Sequence, residues 1–361
     1  MPDVPVFRPR PPALFDRKVY IDQMQSDSTT KKRHHYVPIT YLKNFSDQHE
    51  RVYAYRKAKP DIPLHVKPEE IAFERYYYSQ PTPDGGRDND SLENFFSRIE
   101  GRWPIVVDAL RRRDNPDGVL AAILEFMSLM RVRVPAARDM VELSLAQTVK
   151  TTMRQMDALG EFPPKPPGHD DILDRVVVGI DPHQSIHAIP DLIDRFERVV
   201  SFLGFQIVHN ETDVDFITTD NPVIYFDPSM PEQKVQPYPN RAAFLELLFP
   251  IDARIVVRGL LQLKSDNAAR GIRHFNLGTA SEVRRINRML ARFGYRFIFA
   301  NSRAHDKLVV RHAMYAPVFG ADVVAGPNSK PQLSYRYVFG PLPKKVKWTS
   351  DRIGRKLPTS N

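Results

Sequence analysis

Two glutamates beside a predicted helix are the first side chains that could do chemistry. Asp90 and Glu93 form a capping-box pattern, and in the helix that follows, Glu93 and Glu100 share one azimuth at the border of an apolar stripe. Helix rise places the two carboxylates roughly 10 Å apart, too far to hold one ion together. Either carboxylate could ligate a metal ion or accept hydrogen bonds from an arginine; the alternative is that both are solvated beside the core.

Arg131 falls inside the apolar arc of a second, longer predicted helix. An unpaired arginine in that arc would carry a large desolvation cost, so it should meet a carboxylate or an anionic ligand. Glu100 or Glu93 is the expected partner. A buried Arg–Glu tie between two helices and an arginine that faces a ligand are both open, whereas the neighbouring Arg133 and Arg138 are expected at the surface.

Asp220 stands where a predicted strand with the sequence DFITTD ends and the pair Asn221–Pro222 begins a turn. A strand end fixes the backbone while the following loop leaves space, which suits a metal ligand or a general base. The alternative is an Asx-turn, in which Asp220 or Asn221 caps local backbone amides. The spacing favours neither.

A helix predicted over residues 281–293 presents two different faces. Asn287 lies in its apolar arc and needs hydrogen-bond partners, which makes it a candidate supporting residue for a site. The opposite face could track the phosphates of a nucleic acid or could be an ordinary solvated surface. The arginines of that face are Arg284, Arg285, Arg288 and Arg292.

Composition narrows the classes of function. The chain has 361 residues, a formal net charge of +9 and a pI near 9.5, so its electrostatic field favours polyanions such as nucleic acid. The absence of cysteine excludes disulfides, thiolate zinc sites and cysteine nucleophiles, and any metal must therefore bind to His, Asp or Glu. The sequence has neither a signal-peptide pattern nor an apolar run of membrane-spanning length, so we expect a soluble, cytoplasmic protein with no membrane partner.

The elements that must position these side chains predict an α+β fold. Alternation over 51–56 and 74–79 indicates a small N-terminal β region. One helix carries an apolar stripe that continues to Trp103, and a longer helix runs over 119–159 with a kink near Pro135.

A C-terminal antiparallel sheet with a helix completes the predicted fold around one composite core. A helix over 186–203 should end at Gly204, followed by a hairpin of the segments 205–210 and 215–220. Further strands are predicted over 246–251, 254–263 and 296–301.

Several segments resemble a bacterial family known only as a domain of unknown function, DUF4238. The stretch HHYVPITYLKNF (34–45) matches the HHYVP, YL and F pattern with which its members open, and FITTDNPV (216–223) matches their FITSDNPV type. The pairs Ile99–Glu100 and Ile286–Asn287 match in order. The family usually has a glutamine shortly before its arginine and a proline close behind it; both differ here, so Arg131 and Arg133 remain alternatives for that position.

The resemblance implies a domain organisation around a family core over 34–302. We expect an insertion or linker near 161–185 inside this core and a C-terminal extension of it over 303–340. A flexible Pro-rich arm over 1–33 precedes the core, and a basic tail over 341–361 follows it.

The resemblance also implies a recurring polar set, which is typical of a hydrolytic or phosphate-handling site. Adjacent residues of an extended segment point to opposite sides, so only one of the two histidines can face such a site, and we favour His35 as base or ligand with His34 in a packing role. Glu93, Asn221 and Asn287 would support the set. Its members are His34, His35, Glu100, Arg131 and Asp220.

Two functional hypotheses follow. In the first, the protein is a metal-assisted phosphodiester hydrolase of nuclease type, in which His35, Asp220 and Glu100 hold Mg²⁺ or Mn²⁺ and Arg131 stabilises the phosphate charge. In the second, it is a non-catalytic protein that binds nucleic acid or another partner, for instance in bacterial defence against phage. The family itself has no established activity that would decide between them.

Overall fold

The computed structural model describes residues 32–82, 86–239, 244–325, 331–342 and 345, with helices and strands throughout this part of the chain. The helices are α1 Ile39–Leu42, α2 Ser91–Glu100, α3 Trp103–Arg111, α4 Leu120–Val132, α5 Pro135–Ala158, α6 Ile172–Arg175, α7 His183–His187, α8 Ile189–Val200, α9 Leu263–Arg270, α10 Ala280–Phe293 and α11 Asp306–His312. The strands are β1 Arg33–His35, β2 Val52–Arg56, β3 Lys59–Val66, β4 Phe73–Arg75, β5 Gln80–Pro81, β6 Arg87–Asp88, β7 Gly204–Asn210, β8 Thr218–Thr219, β9 Ile224–Phe226, β10 Glu246–Pro250, β11 Ile255–Leu260, β12 Arg273–Leu277, β13 Phe297–Ala300, β14 Ala316–Ala325 and β15 Pro331–Gly340.

Two larger sheets form the centre of this α+β fold, which the sequence predicted. The first has the strand order β12-β7-β11-β10-β9 and is antiparallel except where β12 runs parallel to β7. The second has the order β3-β2-β13-β8 and is antiparallel. The long hairpin of β14 and β15 stands as a separate two-stranded ribbon.

The predicted hairpin over 205–210 and 215–220 is wrong. Its first segment is β7 of the five-stranded sheet, whereas its second contributes β8 to the four-stranded sheet. Alternating apolar residues specify which face of a strand is buried but not which strand it pairs with, and both segments are mostly buried.

The core has two main parts, one on each face of the five-stranded sheet. Phe249 and Val257 pack with the N-terminal segment and the central helices, whereas Leu248 and Val256 pack with α10. Successive side chains along a strand point to opposite faces, so one strand supplies both parts of the core.

The N-terminal signature is part of this core. The Tyr41 ring stacks on Phe249 at 5.6 Å between centroids, and its hydroxyl donates to the carbonyl of Pro250 at 2.8 Å. The same hydroxyl lies 2.7 Å from the Oγ1 of Thr218. The motif therefore joins the first packed segment to both large sheets, and the spacing of its apolar residues serves packing.

Several predicted helix boundaries held and others shifted. The kink near Pro135 is a break between α4 and α5, since Val134 is extended. The stripe that ends at Trp103 is divided between α2 and α3. Gly204 is not a helix cap, because it begins β7, where an added Cβ would collide with the Leu263 backbone.

The second strand predicted over 74–79 ends early, at Arg75.

The predicted arm over 1–33 lies outside the described residues except for its last two positions, and the tail over 341–361 lies outside them except for 341, 342 and 345. The proposed linker near 161–185 contains α6 and the start of α7 between irregular segments. No helix in the described part of the chain combines the length and apolarity that crossing a membrane requires.

Candidate functional site

Arg133, not Arg131, forms the buried ion pair with Glu100. Its Nη1 donates to the Glu100 carboxylate, its Nη2 to the backbone carbonyl of His35, and its Nε to the hydroxyl of Tyr78 at 3.3 Å. The guanidinium lies 4.5 Å from the ring centre of Phe96. The prediction that Arg133 is at the surface is wrong, since it is 1% exposed, and every part of its charged group is engaged within the fold.

Tyr78 and the two glutamates keep this guanidinium charged. Burial alone would lower the pKa of Arg133, but Tyr78, Glu100 and Glu93 together raise it above its ordinary value. Glu93 thus lies near the pair, as the shared azimuth with Glu100 suggested. Arg138 is also buried, against the surface prediction, and donates to Ser185 Oγ at 2.9 Å and to the carbonyl of Pro182 at 2.7 Å.

The two histidines have different environments. His34 is fully buried, stacks on Tyr78 and accepts a hydrogen bond at Nδ1 from the Tyr78 backbone amide at 2.8 Å. His35 is partly exposed, and its Nε2 donates to the carbonyl of Glu69 at 3.2 Å. Burial lowers the pKa of His35, and the charge of Arg133 lowers it further. The structure brings His35, Glu100 and Arg133 together.

Asp220 is engaged elsewhere, in capping backbone amides. Its Oδ1 and Oδ2 accept hydrogen bonds from the amides of Tyr295 and Arg296, each at 2.8 Å, and the side chain is fully buried. Burial raises the pKa of Asp220, while these amides lower it in part. Both carboxylate oxygens therefore fix the chain just before β13, and the expected Asx-turn on local amides is wrong for Asp220, because its partners are distant in sequence.

The two asparagines join the second signature to the C-terminal helix α10. Asn287 accepts from the amide of Ile217 at 3.1 Å and donates to the carbonyl of Asp215 at 2.8 Å. Asn221 donates through Nδ2 to the carbonyl of Phe293 at 2.8 Å and to the hydroxyl of Tyr238 at 2.7 Å. These residues anchor α10 and hold Tyr238 in place.

The arginine face of α10 is mostly paired within the protein. Arg285 forms ion pairs with Glu246 and Glu282, at 2.9 and 2.8 Å. Arg288 pairs with Glu232 at 3.3 Å.

Two arginines of the predicted nucleic-acid face remain, and they differ. Arg292 is buried and stacks on Phe339 at 4.4 Å. Arg284 is exposed and forms no ion pair within the described residues. Only this one arginine of the four therefore presents an unpaired charge to solvent.

Arg131 is buried in a different place. It is 9% exposed, and its guanidinium lies 3.9 Å from the ring centre of Tyr238. Tyr225 and Tyr337 also lie near this guanidinium, and both raise its pKa. Burial alone would lower the pKa of Arg131, but the three tyrosines raise it overall, so the group stays charged. No carboxylate of the described chain pairs with it.

A cavity of about 1120 Å³ opens beside this guanidinium. Helices α5 and α8, the strands β9, β14 and β15 and the segment before β10 all contribute to its lining. Most of the lining is apolar. Its polar side chains are Arg131, Ser144, Asp191, Arg195, Arg198, Tyr225, Tyr238 and Tyr337.

Tyr238 connects the family signature to this cavity. Its backbone has φ +52°, in the left-handed region that costs a non-glycine residue energy, and strain of this kind persists where surrounding contacts fix the chain. The contacts here are Asn221 on the hydroxyl and Arg131 on the ring face. Burial raises the pKa of Tyr238 to about 12, so its phenol is neutral.

Sequence reasoning missed the three tyrosines that surround Arg131. Tyr225 lies between Ile224 and Phe226 in β9. The alternation of a strand indicates only that the Tyr225 side chain points to the face opposite those two residues. Tyr238 lies in a loop, and Tyr337 is more than two hundred positions from Arg131 along the chain. The one available signal was the arginine itself, whose place in an apolar arc demanded partners.

The predicted metal ligands do not converge. Across the ranges that the structure describes, no three His, Asp or Glu side chains group as potential ligands of one ion. His35 and Glu100 lie near one another through Arg133, whereas Asp220 bonds the chain at residues 295 and 296.

The fold, the signatures and the buried arginine define an α+β protein with an internal cationic cavity. Residues 33–304 match the family described as protein of unknown function (DUF4238), and the chain belongs to this family. The resemblance carried by the two signatures is thus confirmed. No curated protein and no solved structure gives a significant match to the chain.

Proposed function

We propose that this protein binds a small organic anion in its internal cavity, with the anionic group on Arg131. One observation carries the proposal: a buried guanidinium faces a cavity of about 1120 Å³ and has no carboxylate partner among the described residues. A concave, mostly apolar pocket with a few convergent polar groups is the usual form of a small-molecule site.

Energetics support an anion as the missing partner. Leaving a buried charge without a counter-charge costs a protein roughly 3–5 kcal/mol. The hydroxyls and the aromatic face of the tyrosines offset part of this cost for Arg131, but they bring no negative charge because the pKa values of Tyr225 and Tyr238 are raised. A bound carboxylate or phosphate would complete the pair through charge-assisted hydrogen bonds.

The proposed function is non-catalytic, like the second hypothesis from the sequence, but the ligand is a small organic anion and not a nucleic acid. Metal-assisted hydrolysis and nucleic-acid binding stay predictions. The first would require His35, Glu100 and Asp220 to approach one ion, and the second would use a surface whose arginines at 285 and 288 are already paired.

Isothermal titration calorimetry of the full-length protein tests the proposal. The ligands are a panel of aliphatic and aromatic carboxylates and phosphate monoesters. We expect at least one of them to bind at one site and to bind at least about tenfold more weakly to Arg131→Met, because a charge-assisted hydrogen bond contributes roughly 1.5–3 kcal/mol.

The matched control is Arg284→Met, which removes one exposed arginine that does not line the cavity and should leave the affinity unchanged. If no member of the panel binds, or if Arg131→Met binds as well as wild type, the proposal is wrong.

A further inference from the structure

We infer that the anion is a long-chain aliphatic monocarboxylate, whose carboxylate meets Arg131 while its chain lies in the groove between α5 and α8. The inference rests on the proposed function and specifies its ligand class. It follows from the lining of the cavity, the exposed residues at its edge and the charge available inside it.

The cavity walls suit a methylene chain. Apolar side chains make up most of the described lining. Apart from Arg131 and the three tyrosines, its one uncharged polar residue is Ser144, which is half-buried. The charged residues of α8 that line the cavity, Asp191, Arg195 and Arg198, are exposed at its rim. A sugar or a nucleobase would find few hydrogen-bond partners here. The apolar wall residues include Met140, Val141, Leu192, Phe196, Leu245 and Phe319.

The apolar lining continues to the protein surface. Leu145, Phe202 and Leu261 line the same cavity and are 38%, 66% and 41% exposed. Large apolar side chains that are solvent-exposed and contiguous with a pocket are typical of a binding groove. An apolar path from a buried cation to an apolar rim matches a ligand with one charged end and a long hydrocarbon body.

The charge inside the cavity matches one negative charge. Arg131 is the one cationic side chain of the lining that is buried, and a carboxylate carries a single charge, whereas a phosphate monoester carries about −1.5 to −2 near neutral pH. Burial raises the pKa values of Tyr225 and Tyr337, so both phenols keep their protons. A carboxylate could therefore receive N–H donors from the arginine and O–H donors from the tyrosines.

The test is a titration of the full-length protein with octanoate, decanoate and dodecanoate below their micelle concentrations. The 1-alkanols and the alkyltrimethylammonium ions of equal length serve as matched ligands. We expect affinity for the carboxylates to rise about fourfold per methylene, in line with burial of each CH₂ group. The neutral and cationic analogues should bind at least about tenfold more weakly than the carboxylate.

Two substitutions separate the head group from the chain. Arg131→Met should abolish the preference for carboxylate over alkanol while keeping the dependence on chain length. Ser144→Trp places a large ring in the groove and should weaken dodecanoate more than octanoate. Thr148→Trp, one turn further along α5 on an exposed position outside the lining, is its matched control. Ala188→Trp, at the start of α8, is a second blocking variant should the first not fold.

The outcomes distinguish the two proposals. Arg131-dependent binding of short carboxylates or phosphate monoesters without any effect of chain length would overturn the inference and leave the anion site standing. Equal affinity of wild type for alkanol and carboxylate would also overturn the inference. Absence of any Arg131-dependent binding would overturn both.

Discussion

Arg131 and Arg133 lie two residues apart at the end of α4, and both are buried. They differ in whether a carboxylate of the fold neutralises the charge of the guanidinium. Arg133 meets the carboxylate of Glu100, a backbone carbonyl and a phenol, so its site is complete within the fold. Among the described residues, Arg131 meets three neutral tyrosines and no carboxylate, and it faces a cavity. A buried arginine is thus evidence for a ligand only after its counter-charge has been sought in the structure.

The two sites also differ in the origin of their partners. Two of those of Arg133, His35 and Glu100, come from the N-terminal signature and from α2, segments that the family pattern contains, and the third, Tyr78, comes from the segment after β4. Those of Arg131 come from β9, from the loop at Tyr238 and from β15, and of these only Tyr238 is held by a signature residue, Asn221. The comparison predicts that substitutions at the first site change stability and that substitutions at the second change binding.

The largest effect should come from Arg133→Met. It leaves Glu100 and the His35 carbonyl without their buried donor, so we expect the free energy of unfolding to fall by roughly 3–5 kcal/mol in urea denaturation. Arg131→Met is the matched control and should stay within about 1 kcal/mol of wild type or exceed it, since it removes a charge that has no buried counter-charge. Equal losses from both substitutions would contradict the comparison.

The second-largest effect should come from Asp220, whose carboxylate, like the guanidinium of Arg133, has its hydrogen-bond partners within the fold. In Asp220→Asn one side-chain oxygen becomes an amide donor facing the backbone amide of Tyr295 or Arg296. We expect the free energy of unfolding to fall by about 1.5–3 kcal/mol, with no change in the affinity for carboxylates at the cavity. Asp213→Asn, an exposed position in the preceding loop, is the control. Unchanged stability would show that Asp220 is not a structural cap.

The sequence predicted the burial of Arg131 but not the partner of Glu100. Residue azimuths at about 100° apply within a helix, and α4 ends at Val132. Arg133, the next residue, still has helical dihedral angles and its amide bonds the Leu129 carbonyl, so the count places it on the face opposite Arg131. Every residue from Phe126 to Val132 is buried, so that face lies inside the protein and not at the surface. Glu100 consequently meets the later arginine.

Local patterns predicted local structure, whereas the cavity depends on contacts that no pattern encodes. The α+β class, the break near Pro135 and the helix that ends at Phe293 follow from propensities and periodicity. The three tyrosines around Arg131 meet only because β9 and β15 are brought together by the tertiary fold. Asp220 shows the same limit, since its expected partners were nearby amides and its actual partners are the amides at 295 and 296.

A smaller effect should come from Tyr238→Leu, which removes the ring that faces Arg131 but keeps an apolar side chain at a position with the same backbone strain. A desolvated cation–π contact contributes about 2 kcal/mol, so we expect carboxylate affinity to fall roughly tenfold or more. Tyr238→Phe keeps the ring face and should lose much less. An equal loss from both variants would assign the effect to the hydroxyl and its bond from Asn221 instead.

The smallest effect should be that of pH on binding. The raised pKa of Arg131 keeps the guanidinium charged, and the pKa of Tyr238, about 12, keeps that phenol neutral until strongly alkaline pH. Above that pKa a phenolate would compensate Arg131 and repel the ligand, so affinity falls as pH rises, but only there. We expect calorimetric affinities at about pH 7 and about pH 10 to agree within about twofold, whereas a phenol with the ordinary pKa of about 10 beside Arg131 would already weaken binding at the higher pH.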